Sequence, residues 1–344
     1  MTFIPRSVVL ATVAIAGLAP AAATTAASSA HTAVAAVTSC VTVTATIPVG
    51  NQPIGAAANP KTNTTYITNF LDGTVSVISG KKNTVTATIS LGMGAAEPFA
   101  VAANPKTDTI YTGDGVGGST FGAVSVIAGK TNTVVATVQV GGSPEGVAVD
   151  PDTNMVYVVN EADGTVSVLN GQTNTVVATI PVAVGFGPIG VAVNPGTNTI
   201  YVANLRDNTV SVISGQTNTV VATIPVGAGP FNVAVNPSTN TVYTADFFGN
   251  TVSVISGSTN TVVATIPVGL SPLGVAADPS TNAIYVTNEA DNTLSMISGS
   301  TNTVVATVAV GPSPRDVAVN SKTGTIYVAN NGDNTVSVLN PCPK

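Results

Sequence analysis

The sequence predicts an all-β protein: a single seven-bladed β-propeller of four-stranded antiparallel blades, its ring closed by the N-terminal strand. Three observations predict it. First, the seven tyrosines of the chain all stand in one recurring motif: "TTYITN" (Tyr66), "TIYTGD" (Tyr111), "MVYVVN" (Tyr157), "TIYVAN" (Tyr201), "TVYTAD" (Tyr243), "AIYVTN" (Tyr285) and "TIYVAN" (Tyr327), spaced by 45, 46, 44, 42, 42 and 42 residues. Second, each unit parses into four short strand-like runs, and four strands per repeat of this length mark a propeller blade. Third, the last unit lacks its fourth strand, and a spare copy of that strand lies upstream of the first unit.

The elements follow in order along the chain. Arg6, the apolar run Val8–Leu18 and the small residues Ala21-Ala22-Ala23 read as a signal peptide over residues 1–30, cleaved near Ala23 or Ala30. The run is shorter than the roughly 20 apolar residues a membrane span needs, and Pro20 interrupts it. Residues 31–39 read as a disordered Ala/Ser/Thr lead-in, and residues 40–344 as the propeller. A secreted or cell-surface protein without a membrane span is therefore expected.

One unit reads "GVAVNPGTNTIYVANLRDNTVSVISGQTNTVVATIPVG". Strand a is "VAV", b is "TIYVA", c is "TVSVI" and d is "TVVATIPV". Asn-Pro opens the a–b turn, and Asp-Asn or Asp-Gly makes the tight b–c hairpin, where φ > 0 is needed. Ser-Gly begins the c–d turn. Such hairpins give antiparallel meanders, and Val and Thr suit strands. Pro181, Pro225 and Pro267 fall in strand d, the outer edge, where proline blocks further pairing. The spare segment "CVTVTATIPVG" (Cys40–Gly50) matches strand d, so it completes the seventh blade. Aligned on the repeat, Cys40 and Cys342 fall at neighbouring positions of a c–d turn. A disulfide there would replace the missing peptide link and fit an exported setting. The rival reading is a lipoprotein box, "VTSC", that would acylate Cys40; the apolar core ends too far upstream for it.

With the repeat in place, a resemblance stands out. "YVTN" occurs at Tyr285–Asn288, and "TVSVISGSTNTVVATIPVG" at Thr251–Gly269 resembles the repeat of the YVTN β-propeller family. The resemblance covers nearly everything from Val41 to Asn340. It implies a secreted or surface-layer type of protein and carries over no catalytic residue, because the motif is structural.

Composition removes several kinds of chemistry. The only histidine is His31, in the leader or lead-in, and the two cysteines sit at the seam. No Ser-His or Cys-His nucleophile, zinc site or haem ligand can then be assembled. Trp is absent, and "DGVGGSTFG" (Asp114–Gly122) lacks the helix and Lys of a phosphate loop. The net charge of −6 argues against nucleic acid. Asp72, Asp163, Asp207, Asp291 and Asp333 are b–c turn residues explained by structure. The expectation is a non-catalytic binding or scaffold propeller with no cofactor and no metal; a carboxylate-dependent hydrolase or lyase at the channel mouth is the alternative.

Two faces differ. The d–a and b–c loops share one end of the ring, the upper face, and the a–b and c–d loops share the lower. Every length change falls in upper loops. The upper face carries a net charge of −10 and the lower +3. Lys61, Lys81, Lys82, Lys106, Lys130 and Lys322 all belong to blades 7, 1 and 2 of the lower face. They read either as a solvated surface or as a patch for an anionic envelope polymer. On the upper face the residues after the d–a prolines, Ile54, Phe99, Glu145, Ile189, Phe231, Leu273 and Arg315, should ring the mouth. Phe70, Phe99, Phe121, Phe186, Phe231, Phe247 and Phe248 fall in upper loops or at their junction with strand a. Two readings stand for this rim: a binding surface for a glycan or peptide, with Glu145 and Arg315 as its charged members, or a plug that packs the channel.

Overall fold

The computed structural model describes residues 41–92, 96–116, 121–182 and 187–340. The leader, Cys40, Cys342, Lys344 and Phe186 lie outside these residues, and with them the expected signal peptide and disulfide.

The described residues form 28 strands in seven four-stranded sheets and no helix. Each sheet is an antiparallel meander in chain order. In the fourth blade, strand a is Pro188–Asn194, b Thr199–Asn204, c Thr209–Ser214 and d Thr219–Pro225. The expected turn conformations are present. The b–c hairpins place Gly73, Gly164, Asn208, Asn250, Asn292 and Asn334 at positive φ, between 54° and 64°. Asparagine and glycine tolerate this left-handed region.

The strands a pack side by side in a closed circle at the centre, with each blade's strand d outermost. Strands b and c lie between neighbouring sheets and are buried on both faces, so their apolar residues run almost without interruption. Each of the seven tyrosines is at most 1% exposed. Seven apolar clusters hold the ring, one across each seam between adjacent blades. Five seams carry a further clasp on the lower face. There the strand-a Asn amide donates to the a–b turn of the next blade: Asn59 to Asp108 (2.9 Å), Asn104 to Asn154 (2.8 Å), and Asn194 to Asn240, Asn236 to Asn282 and Asn320 to Asn63 (2.7 Å each).

The ring closes as the repeat dictates. Thr42–Pro48 pairs antiparallel with Thr335–Asn340, with Thr46 opposite Ser337, Ile47 opposite Val336 and Pro48 opposite Thr335. The same register joins Thr223 to Ser211, Ile224 to Val210 and Pro225 to Thr209 inside the fourth blade. Ile47 enters the core between blades 7 and 1, and Val41 that between blades 6 and 7.

One boundary differs from expectation. Strand a of the second blade is lengthened to Ala96–Asn104, beginning two residues before its proline, where the other six begin at theirs. The inserted residues of the b–c connection extend the hairpin, pairing Ala96 with Val116 and Glu97 with Gly115. Extra chain can satisfy its backbone groups by prolonging a ladder, which leaves fewer of them to solvent.

Candidate functional site

The upper mouth of the channel is built by a repeated irregularity. In each blade the a–b pairing slips immediately after the d–a proline, for example between Pro144 and Gly146 and between Pro314 and Val317. The residue at the slip has no ladder partner, and a bulge of this kind re-aims its side chain. Ile54, Phe99, Glu145, Ile189, Phe231, Leu273 and Arg315 all occupy it. The next position is mostly glycine because adjacent strands a nearly touch. A Cβ on Gly55 would stand 2.7 Å from the Phe99 carbonyl oxygen.

Within this ring the charged members separate. Arg315 pairs with Glu289 of the neighbouring blade, Nε to carboxylate at 3.6 Å. Glu145, across the ring, makes no ion pair among the described residues. Burial pushes its carboxyl up to about 8; the Glu161 carboxylate pushes the same way, and the Arg315 guanidinium pulls back. Asp316 follows Arg315 and caps the seam between blades 7 and 1, accepting a hydrogen bond from the Ala56 amide at 3.0 Å. Burial raises its carboxyl to about 6, against the pull of the Ala56 and Val317 amides. The mouth therefore holds a protonated acid at neutral pH, two further glutamates and one arginine, set among apolar residues.

Other buried carboxyls are structural. Asp246 accepts from Thr244 (2.7 Å), Thr251 (3.0 Å) and Ser253 (2.7 Å); in five other blades an asparagine stands there and instead donates its Nδ2 to the hydroxyl equivalent to that of Thr251. The turn aspartates behave as expected. Asp72, Asp163 and Asp291 accept from the backbone amides of Asn51, Gly142 and Leu270.

The aromatic residues form two groups on different blades. Phe70 and Phe99 meet edge to face at 4.8 Å. Phe231, Phe247 and Phe248 form a row on the fifth blade, with centroid separations of 6.3 and 5.1 Å. Phe248 and Phe121 are each 58% exposed, while Phe70, Phe99, Phe231 and Phe247 are half-buried. On the lower face Lys61, Lys81, Lys82, Lys106, Lys130 and Lys322 are all exposed. Two of these lysines are engaged, Lys106 with Asp152 at 2.6 Å and Lys61 with the Lys106 carbonyl oxygen at 3.3 Å.

Glu161, Glu289 and Asp316 escaped the sequence-based selection of site residues. The signal was present. "NEAD" stands at Asn160–Asp163 and Asn288–Asp291, and "PRD" departs from the "P-x-G" of four other blades.

Comparison with known proteins supports the fold. A family model described as Lactonase, 7-bladed beta-propeller, matches residues 128–223. A segment of 35 residues is 60% identical to the PE-PGRS family protein PE_PGRS18 of Mycobacterium tuberculosis, covering 10% of this chain and 8% of that protein. Among solved structures, hydrazine synthase of Kuenenia stuttgartiensis superposes with a TM-score of 0.75 at 19% identity, over 85% of this chain and 96% of that one.

Proposed function

We propose that this chain is an exported, non-catalytic β-propeller of the YVTN repeat type that binds a glycan or peptide-like ligand at its upper mouth. The observation that carries the reading is the bulged ring. Seven unpaired positions at one end of the ring carry four half-buried apolar side chains, a fifth (Leu273) that is buried, one neutral acid and one ion-paired arginine. Aromatic faces flanking such an opening suit apolar sugar faces or side chains, and the carboxyls suit hydroxyl or amino groups. The lysine-bearing lower face would meet an anionic envelope polymer, leaving the mouth directed away from it.

A second reading is carboxylate-dependent hydrolysis at the same mouth. Glu145, protonated up to about pH 8 beside Glu161, has the pKa of a general acid. Both residues lie in the segment that the lactonase-type model matches.

The test is a glycan, peptide and lactone screen on the mature protein, with the variant Phe231→Ala/Phe247→Ala/Phe248→Ala beside it. Saturable binding without turnover, weakened about tenfold or more in the variant at nearly unchanged Tm, is expected for the binding rim. Turnover that disappears in Glu145→Gln would move the assignment to hydrolase. A large fall in Tm with unchanged affinity would make the phenylalanines packing residues.

A further inference from the structure

We infer that the seam between the first and second blades holds a subsite for an acidic sugar unit of a polymer; the inference rests on reading the lower face as the polymer-facing side. A cavity of about 230 Å³ opens there, lined by Thr62, Thr64, Ser79, Lys82, Thr86 and Asn132, with Tyr66 and Val77 as its apolar part. Two of these residues break the repeat. In blades 2 to 6 the position of Lys82 is threonine: Thr131, Thr173, Thr217, Thr259 and Thr301. Those hydroxyls bond to the threonine two residues on, at 2.7 to 2.8 Å, and zip the c–d turn shut. The position of Thr86 is valine in the same five blades: Val135, Val177, Val221, Val263 and Val305. The first blade thus exchanges a closed turn and an apolar edge for a cation and a hydroxyl.

The polar lining decides the kind of ligand. Lys82 Nζ, exposed and without a partner among the described residues, is free to meet an anion. Two of the lining hydroxyls have already spent their protons and offer acceptors. Thr86 already donates its proton to the Val77 carbonyl at 3.2 Å, and Thr64 to that of Thr62 at 3.5 Å. Asn132 Oδ1 is buried with no donor, a feature that recurs at other c–d turns. A bare anion would satisfy the lysine and leave the Thr64 and Thr86 acceptors without a donor. A ring that carries several hydroxyl donors and one carboxylate satisfies both. Lys81 and Lys130, next in sequence to lining residues Lys82 and Gly129, extend the positive field along a chain of such units.

The experiment is titration calorimetry at low salt with an oligogalacturonate hexamer, a neutral maltohexaose and inorganic phosphate. Lys82→Thr and Thr86→Val install residues that five other blades already carry, so both variants keep the fold; Tm confirms it. The hexauronate should bind. Lys82→Thr should weaken it about tenfold or more, and Thr86→Val, which changes no charge, by about threefold or more. Maltohexaose and phosphate should bind at least about tenfold more weakly than the hexauronate. If Lys81→Thr or Lys130→Thr costs as much as Lys82→Thr, or Thr86→Val costs nothing, the attraction is diffuse and the subsite is wrong while the polymer-facing reading stands. No hexauronate binding even at low salt overturns both. The Phe231→Ala/Phe247→Ala/Phe248→Ala variant should leave this affinity unchanged, separating it from the upper mouth.

Discussion

Glu145 carries a pH signature that needs no ligand to read. Its folded carboxyl titrates near 8, well above the ordinary glutamate value of about 4.3. Below the unfolded value both states are protonated and the residue favours neither. As pH rises from about 4.5 to 8, the unfolded chain sheds this proton while the folded one keeps it, so the folded state loses ground across that window. Glu145→Gln removes the term. The variant should match the parent in Tm at pH 4 and exceed it by about 2 °C or more at pH 8.5, the gap opening steadily between. A gap that is constant with pH would mean the carboxyl is solvated and ionised like any surface glutamate. The sequence placed Glu145 at the mouth by counting from proline. Its raised pKa comes first from burial, with Glu161 adding to it and Arg315 from across the ring opposing it, and no local pattern spells these out.

At the level of the strand, the bulge after the d–a proline and the glycine beside it work as one device. The slip frees a residue for the mouth, and the glycine lets the next blade's strand a approach. On Gly274 a Cβ would stand 2.7 Å from both the Arg315 carbonyl oxygen and the Asp316 Cα. Neither is a side-chain tip that can swing away. Gly274→Ala should therefore cost about 1–3 kcal/mol in denaturant unfolding. Gly196→Ala is the control, since a Cβ there meets only Asn194 Oδ1 at an ordinary 3.5 Å; it should cost well under 1 kcal/mol. Equal costs would show that the strands a are not in backbone contact. The four strands and their hairpins were legible because turn chemistry is local. The bulge was not, because Pro-x-Gly also reads as the end of a loop. Nor was the clasp: the Asn of "NP" reads as a turn opener, and its bond to Asn or Asp of the next blade joins residues 46 to 50 positions apart, or 257 at the closing seam.

At the scale of the ring, the strand Thr42–Pro48 belongs to a blade whose other three strands arrive almost 300 residues later. Its place was legible because the repeat supplies a template for what the seventh blade lacks. How firmly it is held is a separate matter, and one pair of positions measures it. Ile47 on this strand and Ile266 on strand d of the fifth blade are equivalent in the repeat and equally buried, each 3% exposed. Ile47 packs with Ile67, Ile78 and Val336 across the seam of blades 7 and 1; Ile266 packs with Val252, Ile284 and Ile297 across that of blades 5 and 6. Truncating a core isoleucine to alanine costs about 2–5 kcal/mol where the surroundings stay closed around the cavity. If the closing strand unfolds only with the whole ring, Ile47→Ala and Ile266→Ala should cost the same to within about 1 kcal/mol. Amide exchange along residues 43–47 should then be as slow as along 262–266. If the strand peels away before the ring opens, its local interactions no longer contribute to global unfolding. Ile47→Ala would then cost far less than Ile266→Ala, and the amides of 43–47 would exchange early. The shared register with Val336 and Ser337 and the burial of Val41 and Ile47 favour the first outcome, in which the closing strand is part of the cooperative unit.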